Sequence, residues 1–154
     1  MSQTKAPVCL SVLDKRIVEA YNCKCVITDD THCLSSALLL GKYMEYVESS
    51  LLMRSDLACA FNHYYLTINP DTSKVETEAE ELQHLNNKVV TLPNNDKLIN
   101  NLRIAYNDYQ FMKSFRQLLD KHYDKVLNDH IYYDVYHILS NNMERQKIQY
   151  ITYK

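Results

Sequence analysis

Residues 96–126, "DKLINNLRIAYNDYQFMKSFRQLLDKHYDKV", decide the predicted fold because no glycine or proline interrupts them. Apolar residues recur along this stretch at alternating steps of four and three, the spacing of one face of an α-helix. They are Leu98, Leu102, Ala105, Tyr109, Met112, Phe115, Leu119, Tyr123 and Val126. The preceding run Asn94-Asn95-Asp96 is typical of a helix start. We therefore predict a long central helix at about 96–127.

The composition of the chain points away from β-structure. Its 154 residues include one Gly, three Pro and no Trp, and β-hairpin turns depend on residues that tolerate positive φ, glycine above all. With 46% hydrophobic and 23% charged residues, the chain suits one globular domain whose core needs neither metal nor disulfides. We predict a single all-α domain over 1–154, a compact bundle of about six helices.

Five further helices complete the predicted bundle. The most regular of them has Thr31 as its N-cap and an apolar stripe that starts at Cys33. Ser73 followed by Glu76 indicates a capping box at the start of another. The five predicted helices cover about 12–21, 32–53, 55–69, 73–85 and 130–144. A short extended piece is predicted at 88–92.

No stretch of the sequence looks like a membrane span or a signal-peptide core. The longest apolar run, at 37–40, falls far short of the ~20 residues that a spanning helix needs. We therefore expect a cytoplasmic or nuclear protein with no membrane contact. Thiols stay reduced in those compartments, and the five cysteines, an odd number, need not pair.

The stretch "YNCKCVITDDTHC", at 21–33, packs three cysteines and a histidine into thirteen residues. In an extended backbone Cys23 and Cys25 point to the same side, and His32 and Cys33 would complete a tetrahedral zinc site. Zinc modules usually contain two pairs of ligands, with Cys-x₂₋₄-Cys as the typical pair, whereas this stretch has one Cys-x-Cys pair and no second pair. Cysteine is also among the residues most often buried. We favour plain packing, and three alternatives stay open: zinc as a bound cofactor, thiol chemistry, and disulfides, which the expected compartment disfavours.

Thiol chemistry is the one catalytic candidate that the sequence offers. Cys33 would lie in the first turn of the helix predicted at 32–53, where the positive end of the helix favours a thiolate. Cys59 and His63, at i and i+4, would offer two metal ligands on one helical face. The chain has no Cys-x-x-Cys motif, and a single glycine excludes the glycine-rich motifs of hydrolases and nucleotide-binding enzymes. We therefore expect a protein that is not an enzyme.

Positive charge is concentrated in the C-terminal part of the chain. Residues 97–154 carry nine Lys or Arg against six Asp or Glu. The basic residues on the long helix are Lys97, Arg103, Lys113, Arg116, Lys121 and Lys125. Acidic residues share the helix with them, and Arg116 and Asp120 stand at i,i+4. This pattern favours a solvated face over contact with nucleic acid, for which a more basic domain is expected.

Tyrosine is the other unusual feature, with 13 copies. The adjacent pairs Tyr64-Tyr65 and Tyr132-Tyr133 cannot both face inward on a helix, so part of this tyrosine surface should be exposed. Tyrosine is enriched at the centres of protein interfaces. We expect an intracellular interaction or regulatory module that binds another protein or forms a homodimer. The opposing interpretation places the tyrosines in the core with their hydroxyls at its rim.

Two further expectations depend on composition and architecture. Abundant Asn, Tyr, Lys and Ile beside scarce Gly, Pro and Trp are what an AT-rich coding sequence produces, as in large DNA viruses. In length and helix number the predicted bundle is similar to Bcl-2-like viral inhibitors of host apoptosis or inflammatory signalling, although the Trp-Gly-Arg stretch of their cellular relatives is absent. The alternative is a zinc-stabilised regulatory module with weak nucleic-acid contact.

Overall fold

The protein is a mixture of helices and antiparallel strands, and the predicted all-α bundle of about six helices is wrong. The computed structural model describes residues 13–40 and 47–126. Within these ranges three α-helices and two 3₁₀ helices accompany four strands, which pair as two antiparallel sheets of two strands. In chain order the elements are α1 (Lys15–Ala20), β1 (Leu34–Leu38), a 3₁₀ helix (Val47–Ser49), β2 (Ser50–Arg54), α2 (Ser55–Asn62), β3 (Leu66–Ile68), β4 (Val75–Thr77), a second 3₁₀ helix (Glu80–Leu85) and α3 (Asp96–Val126).

Within the range of the helix predicted at 32–53, the described residues 32–40 and 47–53 contain most of the first sheet instead. Strands β1 and β2 pair with Leu34 opposite Arg54 and Leu38 opposite Ser50. The first four residues of β2 are all buried, and a strand covered on both faces carries a continuous apolar run rather than an amphipathic stripe. Periodicity alone cannot separate such a run from a segment of buried helix. The spacing of apolar residues by four and three therefore did not exclude the strands β1 and β2.

The residues expected to start that helix lie in a loop instead. Thr31 is exposed in the segment before β1 and caps no helix. Cys33 has a left-handed backbone, with a φ of 51°. Its carbonyl oxygen accepts hydrogen bonds from the backbone N–H and the hydroxyl of Ser55, at 2.6 and 2.7 Å. The loop is thereby fastened to the first residue of α2.

Helix α2 begins at Ser55, as predicted, but ends at Asn62, well short of the predicted end at 69. The N–H of Tyr65 donates to the carbonyl of Ala60 at 2.9 Å, and the N–H of Tyr64 donates to that of Phe61 at 3.1 Å. This pair of bonds forms a Schellman motif. Tyr64 occupies the left-handed position usually held by glycine, with a φ of 62°. The chain then turns into β3.

The second sheet forms its turn without glycine. Strands β3 and β4 pair antiparallel, and the Oδ1 of Asn69 accepts hydrogen bonds from the N–H groups of Asp71 and Thr72, at 2.9 and 3.2 Å. Ser73, expected in a capping box, instead takes a positive φ of 54°. Asparagine side chains commonly stabilise turns in this way. The scarcity of glycine therefore does not exclude a hairpin.

The helix predicted at 73–85 is also wrong. The segment begins as strand β4, and only Glu80–Leu85 is helical, in the tighter 3₁₀ form. Lys74 forms an isolated antiparallel bridge to Val89, within the extended piece predicted at 88–92. The helix predicted at 130–144 lies outside the described residues. Because the Bcl-2-like analogy depended on an all-α bundle, it loses its basis.

Helix α3 agrees with the prediction. The Oδ1 of Asn95 accepts a hydrogen bond from the N–H of Leu98 at 3.1 Å, as an N-cap does. The apolar positions from Leu98 to Met112 are buried as expected: Leu98, Leu102, Ala105, Tyr109 and Met112. The side chain of Asn101, also buried, donates to the carbonyl of Glu48 at 2.8 Å. The N-terminal half of α3 therefore packs into the core next to the segment that precedes β2.

The two outer edges of the first sheet are each covered at one point. On the β2 side, the N–H of Val26 donates to the carbonyl of Leu52 at 2.9 Å. On the β1 side, the Oδ1 of Asn62 accepts a hydrogen bond from the N–H of Leu38 at 2.9 Å. Apart from Tyr109 and Met112, the buried apolar residues of the described ranges form one cluster. None of the described helices combines the length and the apolar character needed to cross a bilayer.

Candidate protein-interaction site

A cleft of about 700 Å³ lies where α2, the second 3₁₀ helix and α3 meet. Apolar and acidic side chains share its lining with one arginine. The lining residues are Asp56, Cys59, Ala60, Tyr65, Glu78, Ala79, Glu81, Leu82, Arg116, Gln117 and Asp120. We call this feature the Tyr65 cleft. Its volume is within the range of sites that bury a ligand or several side chains of a partner.

Tyr65 is the large aromatic residue of the cleft, and 48% of it is exposed to solvent. The guanidinium carbon of Arg116 lies over its ring, 4.7 Å from the ring centroid. One guanidinium nitrogen of Arg116 also donates to the carbonyl of Tyr64 at 2.6 Å. Arg116 therefore holds the turn after α2 by two contacts. Because Arg116 already restricts rotation of the Tyr65 ring, the ring loses less side-chain entropy when a ligand binds.

The position of Arg116 is in turn fixed by Glu78. Their side chains form an ion pair at 3.6 Å, and Lys113 approaches the same carboxylate at 3.8 Å. The amide of Gln117 donates to Glu78 at 3.2 Å. These contacts join α3 to the segment after β4. The wall of the cleft is thus a set of side chains that position one another.

Charge is unevenly balanced around the cleft. Arg54, just outside the lining, binds both carboxylate oxygens of Asp56, at 2.7 and 2.9 Å. These hydrogen bonds lower the pKa of Asp56. Glu81 and Asp120 are exposed, and neither carboxylate has a cationic partner among the side chains of residues 13–40 and 47–121.

Tyr109, a buried tyrosine influenced by the charge of Glu78, adds no negative charge to the cleft. Tyr109 is only 2% exposed. Burial, reinforced by the negative charge of Glu78, raises its pKa to about 12. The phenol is therefore neutral at physiological pH.

The structure describes two of the four tyrosines predicted to form an interaction surface. Tyr65 is exposed and lines the cleft, whereas Tyr64 is half-buried and ends α2. Tyr132 and Tyr133 lie outside the described residues. The roles of Arg116 and Glu78 were not predictable from the sequence, because the contacts of Arg116 with Glu78 and with Tyr65 join residues that are far apart in the chain.

The predicted metal ligands have unlike environments. Cys25 is buried, whereas Cys23 and Cys33 are exposed thiols and His32 is exposed as well. Within 13–40 and 47–126, no three His, Cys, Asp or Glu side chains are arranged to hold a metal ion. The geometry gives the zinc interpretation no support.

The environment expected to activate Cys33 is not present. This residue precedes strand β1, so it does not lie at the positive end of the helix that was predicted there. The favourable interaction between a helix dipole and a thiolate is confined to the first turn of a helix. The physical reason for singling out Cys33 therefore no longer applies.

Cys59 and His63 do come together at the end of α2. The Sγ of Cys59 is 3.7 Å from the Nδ1 of His63. The same nitrogen lies 2.8 Å from the carbonyl oxygen of Cys59, which can only accept a hydrogen bond. We therefore assign the proton to Nδ1, and this nitrogen then has no lone pair with which to deprotonate the thiol.

Several basic residues of α3 are occupied by acidic partners. Arg103 binds both carboxylate oxygens of Asp71, at 2.7 and 3.1 Å. Lys113 and Arg116 share Glu78. These pairs join α3 to other segments of the chain, and the expectation of a solvated face without nucleic-acid contact stays a prediction.

Comparison of the chain with protein-family models, curated proteins and solved structures finds no match.

Proposed function

We propose that this protein is a non-enzymatic interaction module that binds a segment of another protein in the Tyr65 cleft. The observation that carries the proposal is a 48% exposed tyrosine, fixed under an arginine, in a cleft of about 700 Å³. Tyrosine and arginine are enriched among the residues that dominate binding energy at interfaces. The apolar side chains Ala60, Ala79 and Leu82 provide contact area beside them.

The chemistry of the cleft supports binding better than catalysis. Cys59 is the nucleophilic side chain in the lining, and the histidine beside it presents a protonated nitrogen. The acidic residues that face the cleft belong to ion pairs or are exposed, as at a polar interface rim.

Peptide selection on the purified protein tests the proposal. A displayed library of random 12-residue peptides is selected on the wild-type protein, and the affinity of enriched peptides is measured by fluorescence anisotropy. We expect Tyr65→Ala to weaken binding by about tenfold or more, the loss typical of a central interface residue. Phe111→Ala is the matched control, because Phe111 is also 48% exposed and does not line the cleft.

A second variant tests whether binding is lost because the cleft is blocked or because the fold is disturbed. Ala60→Phe adds a ring to the lining without removing a contact of Tyr65, and we expect it to abolish peptide binding while the circular dichroism spectrum is unchanged. Peptides that bind Tyr65→Ala and Ala60→Phe as tightly as the wild type would overturn the proposal. So would a selection that enriches no binder.

A further inference from the structure

We infer that the segment bound by the Tyr65 cleft is basic, presenting a lysine or arginine next to an apolar side chain. This inference deepens the proposed function and rests on it. Four carboxylates and one guanidinium line the cleft. The lining is therefore mostly acidic and apolar, and a complementary partner carries positive charge.

Among the described side chains, cations pair with only two of those carboxylates. Asp56 is bound by Arg54 through two hydrogen bonds. Glu78 is shared by Arg116 and Lys113. The remaining two, Glu81 and Asp120, come from different elements, the second 3₁₀ helix and α3. Neither has a cationic partner among the side chains of residues 13–40 and 47–121. A cation entering the cleft would find both of them open to it.

An acidic partner would have little to bind. Among the described lining residues Arg116 is the one cation. Its guanidinium already contacts the carbonyl of Tyr64, the carboxylate of Glu78 and the ring of Tyr65. Its side chain is only 20% exposed. An incoming carboxylate or phosphate would have to displace one of these contacts while facing Glu81 and Asp120, and like charges at an interface are unfavourable.

The apolar part of the lining favours a protein segment over a small polycation. Lysine and arginine bury their methylene stems along apolar surface while the charged group stays near water. Leu82, Ala79 and the exposed part of the Tyr65 ring form such a surface next to Glu81. An apolar side chain beside the cation would cover the rest of the apolar lining, which a polyamine alone would leave exposed to solvent.

The test uses the peptides selected on the wild-type protein and two double variants of equal charge change. Glu81→Gln/Asp120→Asn removes the two carboxylates of the lining that pair with no described cationic side chain. Glu80→Gln/Asp29→Asn is the matched control, because Glu80 and Asp29 are exposed and neither lines the cleft. We expect enriched peptides to be rich in lysine or arginine. Their affinity should fall about three-fold to ten-fold in the first double variant and remain unchanged in the second. At ~1 M salt, where the Debye length is about 3 Å, that difference should nearly vanish.

The outcomes distinguish this inference from the proposed function. Peptides that depend on Tyr65 but are neutral or acidic, and indifferent to Glu81→Gln/Asp120→Asn, would overturn the inference and leave the proposed function standing. Equal losses in both double variants would overturn it as well, since they would show a general effect of net charge. Spermine binding with the same sensitivity and affinity as the peptides would replace the protein segment by a small polycation. If no peptide depends on Tyr65, the proposed function fails, and the inference fails with it.

Discussion

The guanidinium carbon of Arg116 lies 4.7 Å from the centroid of the Tyr65 ring, and a nitrogen of the same guanidinium donates to the carbonyl of Tyr64 at 2.6 Å. One side chain of α3 thus holds two consecutive residues of the turn after α2. Tyr64 has a φ of 62°, which is uncommon for a bulky residue. Persistent strain of this kind requires support from the surrounding structure, and Arg116 provides it.

Removing that support should destabilise the protein. Arg116→Ala deletes a cation–π contact and a charged hydrogen bond to a carbonyl, and we expect the free energy of unfolding to fall by about 2 kcal/mol. Urea denaturation followed by circular dichroism measures this change. Lys121→Ala, an exposed position on the same helix, should change the free energy by less than about 0.5 kcal/mol. Equal losses in the two variants would contradict the assigned role of Arg116.

The buried amide of Asn101 makes a second prediction. It donates to the carbonyl of Glu48 at 2.8 Å, and removing a partner from a buried carbonyl costs about 1 to 3 kcal/mol. We expect Asn101→Ala to lower the free energy of unfolding by that amount. Asn100→Ala makes the same change at the neighbouring exposed position and should be nearly neutral. A neutral Asn101→Ala would show that water replaces the lost bond without loss of stability.

Stability should fall in acid because arginines hold several aspartates ionised. Hydrogen bonds from Thr28 and Arg54 lower the pKa of Asp30, and hydrogen bonds from Arg54 lower that of Asp56. Hydrogen bonds from Arg103 lower the pKa of Asp71. A lowered folded-state pKa contributes stability above the unfolded-state value, which is about 3.9, and this contribution is lost as the pH falls through the folded-state value. The free energy of unfolding should therefore decrease as the pH drops below about 4.

The two arginines provide the control for this pH dependence. Arg54→Met releases two aspartates, whereas Arg103→Met releases one, so the acid-induced decrease should shrink more in the first variant than in the second. Urea denaturation at a series of pH values between neutral and strongly acidic measures each slope. Identical slopes in both variants and the wild type would assign the acid sensitivity to other groups.

Cysteine reactivity should follow burial. Cys25 is 1% exposed, whereas Cys23, Cys33 and Cys59 are exposed. Alkylation of Cys25 requires an opening of the structure, and an opening free energy of about 3 kcal/mol slows the reaction by about a hundredfold. Pulsed alkylation with N-ethylmaleimide, resolved by mass spectrometry of peptides, gives each rate. Fast labelling of Cys25 in the native protein would show that the loop around it opens readily.

Local patterns were sufficient to predict α3. An uninterrupted apolar stripe with an Asn95 cap specifies a helix from information within the segment itself. The strands were not predictable in this way. Strands β1 and β2 pair across twelve or more residues, and the short hairpin of β3 and β4 turns at Asn69 without the glycine that was expected to mark such a turn. The prediction of a helix at 32–53 also gave too little weight to Gly41, since a glycine inside a helix costs about 1 kcal/mol.

The candidate site was predictable only in part. The Tyr64-Tyr65 pair indicated exposed aromatic surface from the sequence, and Tyr65 is indeed exposed. Its arginine partner lies on another helix, and only the folded chain shows that Arg116 and Glu78 meet at this point. The cysteines were misleading for a related reason: their closeness in sequence was taken to favour closeness in space.

The two hydrogen bonds at the outer edges of the first sheet have a consequence for aggregation. An uncovered strand edge is a template on which another chain can add a strand, and the apolar residues 51–53 of β2 would make such growth favourable. The Val26 amide occupies one edge and the Asn62 side chain the other. The loop that carries the clustered cysteines therefore covers part of the β2 edge, and we expect its disruption to favour growth of oligomers or fibrils.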